Sequence, residues 1–225
     1  MIAAVRVWPE VYVAGVVFKL IRPALEYPMN LFMGIIMYSV FSEVVGRAST
    51  MITTNPNFVK KAVFPLELLG VSAVIASLVH AAMTLVIQML VIYLAVGYIP
   101  WTILLLPLMF VPAALVTLGV SWALAAMGVF FRDLGQAVGP VVQLLFFLTP
   151  IVYPMARFAE FPLVSRTLTL LNPFVTIVEN ARLVAIEGQM PHWASLGWVT
   201  LASGGIAMAG YILFMKVRRY FADAM

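Results

Sequence analysis

From Leu66 to Val96 the chain carries one acid and no base, and from Trp101 to Phe131 it carries no charge at all. A helix needs about 20 apolar residues to cross the ~30 Å hydrocarbon core of a bilayer, and each of these stretches is longer than that. In lipid a backbone must satisfy its own hydrogen bonds, which leaves helices and closed barrels. The apolar runs are continuous, without the alternation of barrel strands, so helices are expected. Composition agrees: 64% of the residues are hydrophobic and 10% charged, against about half and a quarter in soluble domains. The expected fold class is an all-α integral membrane protein, a polytopic bundle of about five to six spans with short re-entrant outer helices.

Read in order, residues 1–225 form a single transmembrane domain. Residues 1–27 read as a shortened or atypical first span. Arg6 and Glu10 interrupt it, Val11–Leu20 is too short to cross, and Lys19, Arg22 and Pro23 mark its end. Tyr27–Val45, Leu66–Val96, Trp101–Phe131, Leu134–Tyr153 and Leu196–Met215 are the later spans. Gly97-Tyr98-Ile99-Pro100 is a short turn, which makes its flanking helices antiparallel neighbours. Pro107 and Pro112 are expected to kink the third of these runs near its start. Gly204, Gly205 and Gly210 permit close helix contact in the last. Residues 155–193 are less apolar. They suggest two amphipathic pieces, about Leu163–Leu171 and Pro173–Ile186, that dip into the outer interface or lie on it. Asn172-Pro173 reads as a helix cap followed by a first-position proline.

One polar island separates the apolar runs. Residues 47–65 carry Arg47, Lys60 and Lys61 and no acid. Asn55 before Pro56 is again a cap and a first-position proline, and Pro65 bounds the far end. Pro56 to about Val63 is therefore expected to be a helix of roughly two turns, too short to be stable alone. It needs a partner surface. Its apolar Phe58 and Val59 and its bases favour docking to another protein over a bare surface loop.

With the island placed inside, Arg132, Lys216, Arg218 and Arg219 join Arg47, Lys60 and Lys61 there. Lys19, Arg22, Arg157, Arg166 and Arg182 fall outside, with Arg6 uncounted. The tight basic clusters beside span ends all lie on the inner side, as the positive-inside rule requires. The net charge of +4 reads as topology bias and not as a nucleic-acid surface.

The residues offer little to an enzyme. There is no cysteine, no glycine-rich phosphate loop ending in lysine, no paired-histidine metal spacing and no GxSxG nucleophile. His80, mid-span, is read as a bundle-interior residue hydrogen-bonded to a neighbouring helix; a proton relay is the sharper alternative, disfavoured because no acid is read at matching depth. Gln88 reads as glue between helices. Glu43, near a span end, reads as reaching water. Arg132-Asp133 is either a local pair on a turn or a cytoplasmic contact for a soluble partner. Phe146, Phe147 and Tyr153 belong to an aromatic concentration near the outer face. Packing and membrane anchoring explain it, and a channel surface for sugar rings is the sharper alternative.

Four ordered motifs carry a resemblance: NPNFVKKAVFPLELL at 55–69, GVFFRDLGQAV at 128–138, QLLFFLTPIVYP at 143–154 and LNPFVTIVENAR at 171–182. With these the chain resembles the permease subunits of type-2 ABC exporters, in the branch that exports O-antigen and other cell-surface polysaccharides. The resemblance implies six spans per subunit, a homodimer of permeases in the bacterial cytoplasmic (inner) membrane, and a separate ABC ATPase subunit as partner. It implies no cofactor on this chain, with ATP bound by the partner. It implies a lipid-linked polysaccharide substrate, and a coupling helix at Asn55, Pro56, Asn57, Phe58, Val59, Lys60 and Lys61. It also implies a cytoplasmic amphipathic helix and a complete first span, of which only Val13–Leu20 is evident. An exporter of drugs or small lipids is the alternative within the family. A proton-coupled secondary transporter would need inverted repeats and midplane acids, which the chain does not display.

Overall fold

The computed structural model describes residues 3–55, 65–131, 133–153 and 161–221, and for residues 3–25, 95–96 and 164–165 the backbone helix alone. Among the described residues the architecture is all helical: α1 (Ala3–Ala48), α2 (Glu67–Val96), a 3-10 turn (Trp101–Leu105), α3 (Leu106–Gly128), α4 (Leu134–Leu148), α5 (Pro162–Leu171), α6 (Pro173–Arg182), a π turn (Leu183–Glu187) and α7 (Trp193–Arg218). Four stretches of the described residues are long and apolar enough to cross a membrane: Glu26–Ala48, Glu67–Leu94, Trp101–Gly128 and Trp193–Arg218. The all-α polytopic bundle expected from the sequence is thus found, with α4 a shorter apolar helix of 15 residues.

Several boundaries follow from local chemistry. Gly97 closes α2 at φ +80°, a left-handed conformation open to glycine, and its N–H donates to the Tyr93 carbonyl at 2.8 Å. Pro107 lies in the first turn of α3, where its missing N–H has no partner to lose. The expected kink at Pro107 is therefore a helix start, preceded by the tighter 3-10 turn, and only Pro112 lies inside the helix. α4 stops at Thr149, whose extended backbone (φ −87°, ψ 137°) is what a following proline imposes. It ends five residues short of the Tyr153 boundary read from hydropathy, by the count 153 minus 148.

Two expectations are corrected here. α1 is one helix of 46 residues that runs through Pro23 to Ala48, so no end falls at Arg22-Pro23. An interior proline removes one hydrogen bond and bends a helix at a cost of roughly 3 kcal/mol, which is an obstacle and not a stop. Of the three C-terminal glycines, Gly210 alone is packed in this chain. A Cβ on it would fall on the carbonyl oxygen of Gly119 in α3, whereas Gly204 and Gly205 have nothing within 4 Å.

The core joins α1, α3 and α6. Met33 and Met37 of α1, Met109 and Ala113 of α3, and Ile177 and Val178 of α6 are fully buried in one cluster. α3 and α7 share the most extensive helix contact. α2 lies at the edge, with Val86, Ile87 and Leu94 exposed as on a lipid-facing helix. Its lower end is tied to α7 by a 2.8 Å ion pair between Glu67 and Arg218. The Trp122 indole N–H donates to the Glu67 carbonyl at 3.0 Å. Both charged side chains are part-exposed, so Glu67→Gln is expected to cost about 1 kcal/mol or less. The loss should shrink further in high salt, as thermal unfolding at two ionic strengths would read.

Candidate functional site

The end of the bundle that the basic-residue bias assigns to the outer side is built around α6. Its sequence, PFVTIVENAR, holds a threonine, a glutamate, an asparagine and an arginine in ten residues, which is polar for a buried helix. Yet Phe174–Val178 and Asn180–Arg182 are all buried. α6 is thus packed inside the bundle and does not lie on its surface. Its partner α5 lies exposed, with Leu163, Leu170 and Leu171 largely uncovered.

Burial of α6 works because Asn172, Asn180 and Arg182 all find partners. Asn172 caps the helix as expected: its side-chain oxygen accepts from the Phe174 N–H at 3.0 Å, and its amide donates to Thr149 Oγ1 at 2.8 Å. Asn180 donates to the Thr176 carbonyl at 2.8 Å and accepts from the His192 N–H at 2.7 Å, which ties α6 to the start of α7. Phe174 stacks obliquely against Phe41 at 5.0 Å and edge-on against Tyr38 at 5.5 Å. The Tyr38 hydroxyl donates to the Val142 carbonyl at 2.7 Å, so α1, α4 and α6 meet at one aromatic cluster.

Arg182 is the centre of this arrangement, and the sequence reading did not single it out. It is 4% exposed. Its Nε donates to the Asn30 carbonyl of α1 at 3.1 Å, and one terminal nitrogen donates to the Ile151 carbonyl after α4 at 2.7 Å. The other reaches the Glu179 carboxylate at 3.0 Å. Burial lowers the Arg182 pKa below the usual arginine value, and the Glu179 charge opposes that shift. The signal in the sequence was slight: an arginine three residues after a glutamate at the end of a short capped helix.

Around Arg182 lie two outer recesses of about 290 and 300 Å³, which share Glu26, Asn30 and Glu187. Tyr98 lines one, and Tyr27, Tyr153 and Glu179 line the other. Carboxylates, phenols and an amide in a half-open recess suit a polyhydroxylated ligand. Among the described residues no cluster of acids and histidines could hold a metal ion. Burial raises the Tyr153 pKa, and its hydroxyl donates to the Phe147 carbonyl at 2.8 Å.

The expected aromatic trio is split. Phe146 packs edge-on against Tyr38 at 5.6 Å and joins the core, whereas Phe147 is 57% exposed. Of the three, Tyr153 lines one of these two recesses.

Of the expected coupling and contact residues, Pro56, Asn57, Phe58, Val59, Lys60, Lys61 and Arg132 lie outside the described residues. Asn55 is described, and its amide turns back to the Met51 carbonyl at 2.9 Å. Asp133 precedes α4 without a side-chain cap bond. The chain leading to Asn55 is seated firmly. A Cβ on Gly128 would overlap the Ser49 carbonyl, and one on Gly135 would meet the Thr50 methyl at 3.3 Å.

His80 departs from the reading, whereas Glu43 lies near the end of its span with its side chain about one-third exposed, as expected. His80 is 67% exposed on the outside of this bundle, and its Nδ1 lies 3.3 Å from the Glu43 carboxylate, which also holds Arg47 at 3.4 Å. An acid does lie at matching depth. Gln88 is the inter-helix glue expected, donating to the Met29 carbonyl of α1 at 2.9 Å.

The family model described as ABC-2 type transporter matches residues 10–185 of the chain. The O-antigen export system permease protein RfbA of Myxococcus xanthus is 29% identical over 202 residues, 89% of this chain and 76% of that protein. The protein of the same name from Klebsiella pneumoniae is 25% identical over 217 residues, 93% of this chain and 80% of the relative. The polysialic acid transport protein KpsM of Escherichia coli is 23% identical over 189 residues, 83% of this chain and 72% of the relative.

Proposed function

We propose, because the chain belongs to the ABC-2 type transporter family, that it is the permease subunit of an ATP-driven exporter of lipid-linked cell-surface polysaccharide. The observation that carries the reading is the breadth of the likeness. Relatives named for O-antigen and polysialic acid export align with more than four-fifths of the chain. The outer recesses, lined by tyrosines and carboxylates, fit the chemistry of sugar hydroxyls.

In this reading two copies of the chain form the path in the bacterial inner membrane. ATP is bound and hydrolysed by a separate ATPase subunit, and this chain holds no cofactor. Closure of the ATPase pair on ATP drives the docked segment after Asn55. The Ser49–Thr50 turn, packed on Gly128 and Gly135, passes that motion to α3 and α4 as a rigid-body switch between two states.

The test is co-purification with the ATPase encoded beside it, followed by polymer-stimulated ATP turnover. Reversing Lys60 and Lys61 to glutamate is expected to weaken the ATPase complex on the order of tenfold, more at low salt than at high. Capture of the ATPase unchanged by both reversals would remove the docking assignment.

A further inference from the structure

At the inner end of the bundle the described residues leave a groove of about 340 Å³ between α1 and α2. One wall is the last turn of α1 and the turn after it, with Arg47, Thr50 and Thr54. The other is the first turns of α2, with Ser72 among Leu69 and Ala73. The proposed function does not use this groove. It combines a guanidinium, three hydroxyls and an apolar side.

That set matches a phosphate ester carried on a hydrocarbon chain. A guanidinium binds phosphate oxygens through paired, charge-assisted hydrogen bonds. The hydroxyls are free to turn. Thr50, Thr54 and Ser72 donate to the carbonyls of Arg47, Thr50 and Leu69 at 3.2, 2.8 and 2.9 Å. Two of those carbonyls also accept a backbone N–H, Thr50 N–H on Arg47 at 3.3 Å and Thr54 N–H on Thr50 at 2.9 Å, so little is lost when the hydroxyls rotate toward an anion. Arg47 is equally available. It is 51% exposed, and its contact with Glu43 is a long 3.4 Å, an exposed pair that contributes little. Glu43 keeps His80 as a second neighbour at 3.3 Å when Arg47 turns away. Leu69 and Ala73 would then lie beside the first carbons of the acyl or prenyl chain.

We infer that this groove seats the phosphoryl headgroup of an inner-leaflet lipid, with Arg47 as its principal ligand. Two sources share that chemistry: the phosphate linking an exported polymer to its lipid anchor, and the headgroup of bulk anionic phospholipid. The first source rests on the exporter reading above, and the second does not.

The experiment uses the full chain in phosphatidylcholine nanodiscs, with a fluorescent polyprenyl diphosphate, phosphatidylglycerol and inorganic phosphate as three separate probes. Arg47→Gln is expected to weaken lipid binding roughly tenfold to a hundredfold, with the thermal midpoint unchanged because the side chain is half exposed. Arg47→Lys should recover part of the loss, and Glu43→Gln should leave binding intact or tighten it. Loss confined to the diphosphate assigns the seat to the polymer's anchor, and loss for both lipids assigns it to inner-leaflet phosphate in general. Unchanged binding of both lipids by Arg47→Gln overturns the proposal, as does inorganic phosphate bound as tightly as the lipids. If the neighbouring ATPase fails to co-purify while Arg47→Gln still abolishes lipid binding, the exporter reading fails and the seat stands. If export proceeds and lipid binding ignores Arg47, the seat fails and the exporter reading stands.

Discussion

Arg182→Met is expected to cost the fold about 3–5 kcal/mol and to abolish export with it. The side chain is 4% exposed and joins three parts of the chain: Asn30 of α1, Ile151 beyond α4, and Glu179 on its own helix. Methionine fills much of the volume but donates nothing. The carbonyls of Asn30 and Ile151 would lose these largely buried donors, at roughly 1–3 kcal/mol for each group left unsatisfied. Glu179 would lose its cation. Room for rearrangement is small, since a Cβ on Gly34 would already lie 3.2 Å from the guanidinium and 3.1 Å from the Ile151 side chain. Arg182→Lys should fall between, because one ammonium cannot span three acceptors arranged for a planar fork. Glu179→Gln should cost least, about 1 kcal/mol, because its side chain is one-third exposed and the amide oxygen still accepts. Thermal unfolding of the purified protein ranks the three variants. A midpoint for Arg182→Met equal to that of the parent would mean that α6 is held by its apolar face alone.

Gly210→Val is expected to be nearly as damaging, and Gly204→Ala harmless. The backbones of α3 and α7 touch where Gly119 faces Gly210 and Ile206. A side chain at Gly210 lands on the Gly119 carbonyl, which is backbone and cannot rotate aside. The helices must then separate, along their most extensive contact. Overpacking a core costs about 1–3 kcal/mol, and a clash with backbone belongs at the upper end or beyond. At Gly204 a methyl meets nothing within 4 Å, so the usual helix gain of up to ~1 kcal/mol for alanine over glycine applies. The pair of variants, compared by thermal midpoint and by export, tests the α3–α7 register directly. Equal effects at Gly204 and Gly210 would place that register wrong.

These two cases mark where reading the chain succeeded and where it stopped. Asn172 was legible because its work is local. A cap acts on the N–H two residues on, and Pro173 announces the helix in the next position. Arg182 was not legible, because its partners lie 152 and 31 residues away in sequence and acceptors of that kind are anonymous backbone carbonyls. His80 was placed without an acid for a similar reason. Hydropathy assigns each span a rough depth but not the rotation and register that bring Glu43 to 3.3 Å. Phe146 and Phe147 are adjacent in sequence, yet one enters the Tyr38 cluster and the other faces out. A helix turns about 100° per residue, and nothing local says which direction is inward.

The uninterrupted apolar runs determined by themselves that the chain crosses a membrane as helices, because lipid offers an exposed backbone no hydrogen bonds. Gly97, Pro107, Pro150 and the Asn172-Pro173 pair determined, within a few residues, several of the helix ends. Which glycine becomes a contact, that a polar ten-residue helix goes into the core, and that one arginine holds it there were decided only by tertiary structure. In a bilayer lipid tails are as apolar as leucine, so packing and paired polar groups, not the avoidance of water, select how the helices meet.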